Sequence, residues 1–543
     1  MDMNSEICER CAKINFERMF DEADKFFTGD FPLLPPPHSG TQAERDHAWS
    51  QEIANPTVTL PVNSEGLFDG GKATCPICEF FKGLTSIQYY NSKPYIDYDH
   101  INFYSSLRLC SSTFDISKLS NSCQAHCVDR CFLSVSPSVI IPKYLFDRDF
   151  LQSISLGYVV FRALGNHETA QARIRDGIWG RVVPEWIDFK LPKNWLEFCG
   201  RHHTLSCCRP KPNNQLQGFR LIDCYSNPIR IEPSTIGTDY VALSYVWAAS
   251  PETSNTLPNV VLDAIEVTKQ LGFQYLWIDP YCIKQNNDKE KAQLIANMHL
   301  IFQHAEVTLV AAANGLDGLR GVRRDCSSTQ VGRRVQKNLQ IRDMTLVTLV
   351  DSDETIQQSD WSRRGWTFQE ALLSRRVLVF TDIQLYWNCC GMSEMESLYI
   401  PAEISHLPDM SQQGRWMAPG IFDRAGKGSV RNIPESNSLT IGLESNENVI
   451  KKIHQEVLSD IGQYTCRQLT YDSDALDAFK GIMQMHRARA GNDITFILGL
   501  PVIKYSSWDL NSAFAHSLCW CLDGRHRERR NNLLPSWSWP RWK

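Results

Sequence analysis

The middle of this chain predicts an α/β fold, a parallel sheet flanked by helices. Three observations carry that expectation. Short runs of strand formers recur at "YVALSYVW" (Tyr240–Trp247), "YLWID" (Tyr275–Asp279) and "EVTLVAAA" (Glu306–Ala313). Helical periodicity fills the intervals between them. The connections are short, and strand–helix–strand–helix–strand with short connections implies parallel pairing through right-handed crossovers.

In chain order, Val260, Ala264, Val267 and Leu271 recur at 4, 3 and 4 residues, which is one helix face, with Gly272 placed as its C-terminal cap. After the second strand, Asn287 and Glu290 form a capping-box-like start. The helix that follows is expected to bury Ile295, Met298 and Phe302. A basic loop from Gly318 to Arg334 is expected to be solvated. "RRGWTFQEALLSRR" reads as a helix, and "VLVF" with "LYWNC" as a hairpin.

The flanks are less regular. Residues 1–190 read as an N-terminal cysteine-containing α+β module. It holds a short helical pattern in "FERMF", an extended break at "FPLLPPPHSG" and β-type pieces in "HINFYSSLRLC" and "LGYVVFRAL". Residues 191–239 form a connector, "LPKNWLEFCGRHHTLSCC", and a hairpin turning at Ser226–Pro228. The α/β unit spans 240–400. Residues 401–543 are a mostly helical region with patterns at Val449–Thr465 and Ala475–Arg487, a strand-like "SLCWCL", and a mobile loop in "GIFDRAGKGSVRNIPESNS". The abrupt apolar end "LLPSWSWPRWK" suggests a natural chain that continues past Lys543.

Composition narrows the function classes. The 543 residues exceed what one core serves, and 43% hydrophobic with 22% charged residues is ordinary globular content. A net charge of −5 gives no reason to expect nucleic-acid binding. The acidic start "MDMNSEICER" is no secretory signal, and no apolar run approaches the roughly 20 residues that span a bilayer. A cytoplasmic protein is therefore expected. Nineteen cysteines without a signal read as reduced thiols, some of which could bind metal. Cys8/Cys11 and Cys75/Cys78 have zinc-knuckle spacing. The 63 residues between the two pairs weigh against one four-thiolate zinc site, and two unrelated buried pairs remain the stronger reading.

"YVALSYVWAAS", "LWIDPYCIKQNNDKEKAQLIANMHLIFQHAEVTLVAAA" and "RGWTFQEALLSRRVLVF" together resemble, in order and spacing, the three blocks of the fungal heterokaryon-incompatibility (HET) domain. The flanks "NWLEFC…RLIDC", "RQLTYDSDALDAFKGI" and "PSWSW" look like that family too. Two positions depart from its pattern: Ala248 stands where glycine usually follows the tryptophan, and Lys284 stands in place of asparagine. The resemblance implies a role in fungal non-self recognition ending in programmed cell death. It also implies self-association and an incompatibility partner protein. HET domains are similar to Toll/interleukin-receptor (TIR) domains, several of which hydrolyse NAD with a glutamate in a W-x-x-x-E pattern. Trp366 and Glu370 stand in that relation, so the resemblance implies Glu370 as catalytic residue and NAD as substrate, and it fixes no cofactor. A self-associating interaction module without catalysis is the alternative.

The residues support the idea only in part. A carboxylate flanked by large apolar neighbours is partly desolvated. Nicotinamide leaves as a neutral molecule, so one carboxylate suffices to stabilise an oxocarbenium-like centre. The bland reading is a surface glutamate paired with Arg363 or Arg375. Asp279 should sit at the carboxyl end of a buried strand, the ligand side of a parallel sheet, or else cap a helix. Ser244, Tyr245 and Trp247 end the first strand on the same edge, where tryptophan serves packing more often than ligand stacking. Cys282 and Gln285 complete the loop; no histidine lies near enough in sequence to make Cys282 a nucleophile.

Overall fold

The computed structural model describes residues 179–246, 257–399 and 446–542, apart from breaks at 205–206, 211–215, 314–317, 324–331, 342–343, 350–351, 358, 506–507 and 521–533. Nearer the N-terminus it describes four strands, residues around Cys75 and two isolated positions. The "FERMF" and proline-rich stretches, Cys8, Cys11, Cys78, Trp247, Ala248 and the glycine- and serine-rich loop lie outside the described residues.

The four N-terminal strands are β1 (Val58–Pro61), β2 (His100–Ser106), β3 (Phe132–Pro137) and β4 (Gly157–Ala163). They form an antiparallel sheet completed from the middle of the chain by β11 (Asn338–Ile341) and β12 (Met344–Leu349), in the order β1-β2-β3-β4-β12-β11. A two-residue strand, β5 (Trp179–Gly180), pairs with β16 (Leu398–Tyr399).

The larger sheet has eight strands: β6 (Arg220–Asp223), β7 (Arg230–Pro233), β8 (Tyr240–Ser244), β9 (Tyr275–Trp277), β10 (Val307–Ala311), β13 (Arg376–Phe380), β14 (Leu385–Cys389) and β15 (Ser393–Met395). Their order is β15-β14-β13-β10-β8-β9-β6-β7. The parallel pairings fall in the centre, β9–β8, β8–β10 and β10–β13. Antiparallel pairs flank them on both sides. The sheet is therefore mixed, which corrects the expected parallel sheet. Both expected hairpins form, but they extend this sheet. The turns at 224–229 and 381–384 are too short for the crossover that parallel strands require.

Helices cover both faces, and the strands alternate between two cores. Leu378 and Phe380 face a core shared with α1 (Lys190–His202), α2 (Asn259–Gln270) and α5 (Met298–His304). Val377 and Val379 face the other, shared with α8 (Gly365–Leu372), α9 (Asn446–Thr465) and α10 (Lys480–Ala490).

Local signals explain the helix boundaries. All four periodic residues of α2 are buried, and Gly272 adopts φ +90° just past its end. Asn287 caps α4 (Asp288–Ala296) by accepting the Glu290 N–H at 3.2 Å. The helix expected to bury Ile295 breaks at Asn297 into α4 and α5. Leu294, Met298, Ile301, Phe302 and His304 are its buried residues, and Ile295 is half-buried. The C-terminal region also holds a hairpin, β17 (Ile494–Ile497) and β18 (Leu500–Ile503). Where "SLCWCL" suggested a strand, α11 (Leu510–Ser517) ends in a turn.

The basic loop is another correction. Arg333 and Glu396 are a buried pair, with a second contact from Arg333 Nη2 to Glu396 Oε1 at 3.0 Å. Arg323 pairs with buried Asp263. These cations anchor the loop against the fold, because a charge near the core persists only when paired. Among the described residues, no helix is long and apolar enough to cross a membrane.

Candidate functional site

Strand β8 is buried along its whole length and ends on Ser244. The Ser244 hydroxyl donates to Glu370 Oε2 at 2.5 Å and accepts from the Trp361 indole N–H at 2.7 Å. With the indole occupying an acceptor position, the serine proton is directed at the carboxylate. Trp361 belongs to α7 (Asp360–Arg363), capped by Ser359, which accepts the Ser362 N–H at 3.2 Å. Thr367 ties the α7–α8 junction by donating to the Trp361 and Arg364 carbonyls at 2.6 and 2.8 Å. One serine is thus fixed by a strand and two short helices.

Glu370 lies in α8, half-buried. Burial pushes its carboxyl up to about 7. The Ser244 hydrogen bond and the Arg364 charge pull it down, and the charge of Asp279 pushes it up. Asp279 begins α3 (Asp279–Cys282), immediately after β9. Burial raises its carboxyl to about 6, against the charges of Arg364 and Lys291. Burial raises the Tyr245 phenol as well, and the charges of Tyr281 and Asp279 act in the same direction. The carboxyl ends of adjacent parallel strands β8 and β9 therefore gather two carboxylates near neutrality, two phenols and one guanidinium. This is the edge where open α/β sheets bind ligands.

The structure brings together Ser244, Tyr245, Asp279 and Glu370. Cys282, Gln285 and Trp366 make their contacts elsewhere. Cys282 is fully buried, its sulfur accepting the Ile278 N–H at 3.4 Å, and burial raises its thiol to about 12. Gln285 is exposed, its amide donating to the Ile283 carbonyl at 3.2 Å. The Trp366 indole is half-buried and donates to Asp474 at 3.3 Å, which ties α8 to the C-terminal region. Lys284 is exposed and lies 3.9 Å from Glu290. Of the four cysteines with zinc-knuckle spacing only Cys75 is described, as a buried free thiol.

The bland pairing of Glu370 does not form. Arg363 pairs with Asp360 at 3.6 Å, and Arg375 pairs with Glu306 at 3.1 Å. Trp361 and Arg364 were not singled out from the sequence. Their signal was a second tryptophan and a second arginine in the polar stretch "SDWSRRGW".

Residues 240–370 match the family model described as "Heterokaryon incompatibility protein (HET)". The match opens on the first residue of β8 and closes on Glu370. No curated protein matches the chain. No solved structure matches it.

Proposed function

We propose that this chain, which carries a heterokaryon-incompatibility domain over residues 240–370, acts in fungal non-self recognition and triggers cell death by hydrolysing NAD at the Ser244–Glu370 cluster. The observation that carries the reading is the 2.5 Å hydrogen bond that sets Glu370, fourth after Trp366 in the TIR-type pattern, at the carboxyl edge of the parallel strands. A TIR-like relationship of the domain belongs to this proposal.

In this reading the ionised carboxylate of Glu370 holds the ribose hydroxyls and stabilises positive charge at the anomeric carbon as the bond to nicotinamide breaks. Nicotinamide departs with the bonding electron pair. Water adds to the anomeric carbon and releases one proton. Ser244 is a positioning residue whose orientation is fixed by Trp361. Arg364 lowers the carboxyl toward ionisation and is placed to attract a phosphate. Tyr245 and Tyr281 offer faces for a ring, and Asp279 a second carboxylate for the sugar. The protein acts in the cytoplasm, self-associates, and responds to an incompatibility partner.

Purified protein, dilute and assembled, should release nicotinamide from NAD, and Glu370→Gln should abolish release with the fold intact. A wild type without turnover in any assembly state that still kills cells on overexpression would overturn the enzymatic reading in favour of a non-catalytic self-associating module.

A further inference from the structure

A second cluster lies on the other core, outside the residues that match the family model. Cys199, His203 and Cys207 follow one another at intervals of four residues. His203 N–H donates to the Cys199 carbonyl and Cys207 N–H to the His203 carbonyl, each at 2.9 Å. These two bonds, just past the end of α1, hold the three residues close together. Strand β14 brings Cys389 to the same point, with its sulfur 3.4 Å from His203 Nδ1. The four ligand atoms lie within 4.8 Å of one another, and all four residues are buried.

We propose that Cys199, His203, Cys207 and Cys389 bind one zinc ion, which fastens the connector before the HET domain to the sheet strand after it.

The donor set fits zinc. Three thiolates and an imidazole form a closed tetrahedral site, and a full protein shell with no open position serves structure rather than catalysis. Sulfurs at about 2.3 Å from a tetrahedral zinc stand about 3.8 Å apart, so the cluster closes on the ion by roughly 1 Å of side-chain movement. Soft thiolates in that geometry select zinc over magnesium or calcium.

The surroundings support the assignment. Arg376 Nε lies 3.1 Å from Cys199 Sγ. Gly391 N–H donates to Cys389 Sγ at 3.4 Å. Gly391 also accommodates the histidine: a Cβ there would meet the His203 ring at 2.5–2.6 Å. Arg209, Arg375 and Arg376 all contact Glu306, and Arg209 also contacts Asp239. These five groups leave one positive charge over. Zinc with three thiolates and a neutral imidazole carries one negative charge, its complement.

The full-length protein purified from zinc-supplemented cells should contain one zinc per chain by elemental analysis. Cys207→Ser and Cys389→Ser should each lower that content at least fivefold, and Cys208→Ser, at the exposed neighbouring thiol, should leave it at one. If the first two variants fail to fold, cobalt replacement in the wild type tests the same site. Thiolate-to-cobalt charge transfer with intense tetrahedral d–d bands supports it, and a weak octahedral spectrum overturns it. A wild type without zinc overturns it, as does zinc that persists in both variants. So does a denatured chain two hydrogens light, in which a disulfide has consumed two of the ligands.

Discussion

Two glutamates at different ends of the large sheet experience opposite electrostatics. Glu306 stands just before β10 and meets Arg209 at 2.5 Å, Arg375 at 3.1 Å and Arg376 at 2.8 Å. Burial works against its ionisation, but the three arginines outweigh burial and hold its carboxyl below the usual value. Glu370 is held by a serine hydroxyl, and burial lifts it to about 7. The comparison separates a carboxylate clamped by arginines from one that the proposed function uses for chemistry, because a displaced proton affinity with few compensating charges makes a group a functional-site candidate.

The largest expected effect is on turnover. Glu370→Gln should lower nicotinamide release by at least about 100-fold, the scale of a lost electrostatic stabiliser in the transition state. The same variant should melt no lower than wild type, and higher at pH 8. The sign follows from linkage. The carboxyl of Glu370 is raised in the folded state, so its contribution is fully present below the unfolded value of 4.5 and is lost as pH rises through about 7. Glutamine carries no such loss. Thermal melts from pH 5 to 8 decide the matter, and a variant that is inactive and also unfolded would erase the contrast.

Glu306→Gln tests the other half. It leaves three arginines facing a neutral amide and should cost about 2–3 kcal/mol, discounted from a fully buried pair because the carboxylate keeps some exposure. The pH dependence reverses. Its folded carboxyl is depressed, so its contribution is present above 4.5 and is lost as pH falls through the lower folded value. Urea titrations of wild type and variant should therefore converge in acid. Parallel curves would show that Glu306 is no clamp.

The fold around these two carboxylates was partly legible in the sequence, but the contrast itself was not: Glu306 was not singled out, and Arg375, its partner at 3.1 Å, was offered to Glu370. Strand ends, helix faces and caps are local, so Ser244, Asp279 and the Asn287 cap could be read from spacing. Sheet membership is not local. The hairpins at 220–233 and 376–389 were visible, but their attachment to the parallel core depends on pairings such as Ile222 with Leu276. Trp361 escaped notice because its contact with Ser244 crosses 117 positions of chain. Cys282 had the composition of a site residue, yet the turn after β9 directs its sulfur into the core. The fourfold spacing of Cys199, His203 and Cys207 was there to be read, and Cys389 joins them only when β14 forms.

The smallest expected effects sharpen the comparison most, because they have opposite signs at one carboxylate. Ser244→Ala removes the hydrogen bond that favours ionised Glu370, so its carboxyl should rise above about 7. Asp279→Asn removes a neighbouring charge that opposes ionisation, so the carboxyl should fall. Each shift should be about one unit or less, the size of a single hydrogen bond or one screened charge. If ionised Glu370 supports turnover, activity rises with pH through its titration. The serine variant then moves that limb to higher pH and the aspartate variant to lower pH. NMR titration of the labelled glutamate reads the same shifts without turnover. Equal displacement in both variants would mean that general loosening of the sheet edge, and not these two contacts, sets the proton affinity of Glu370.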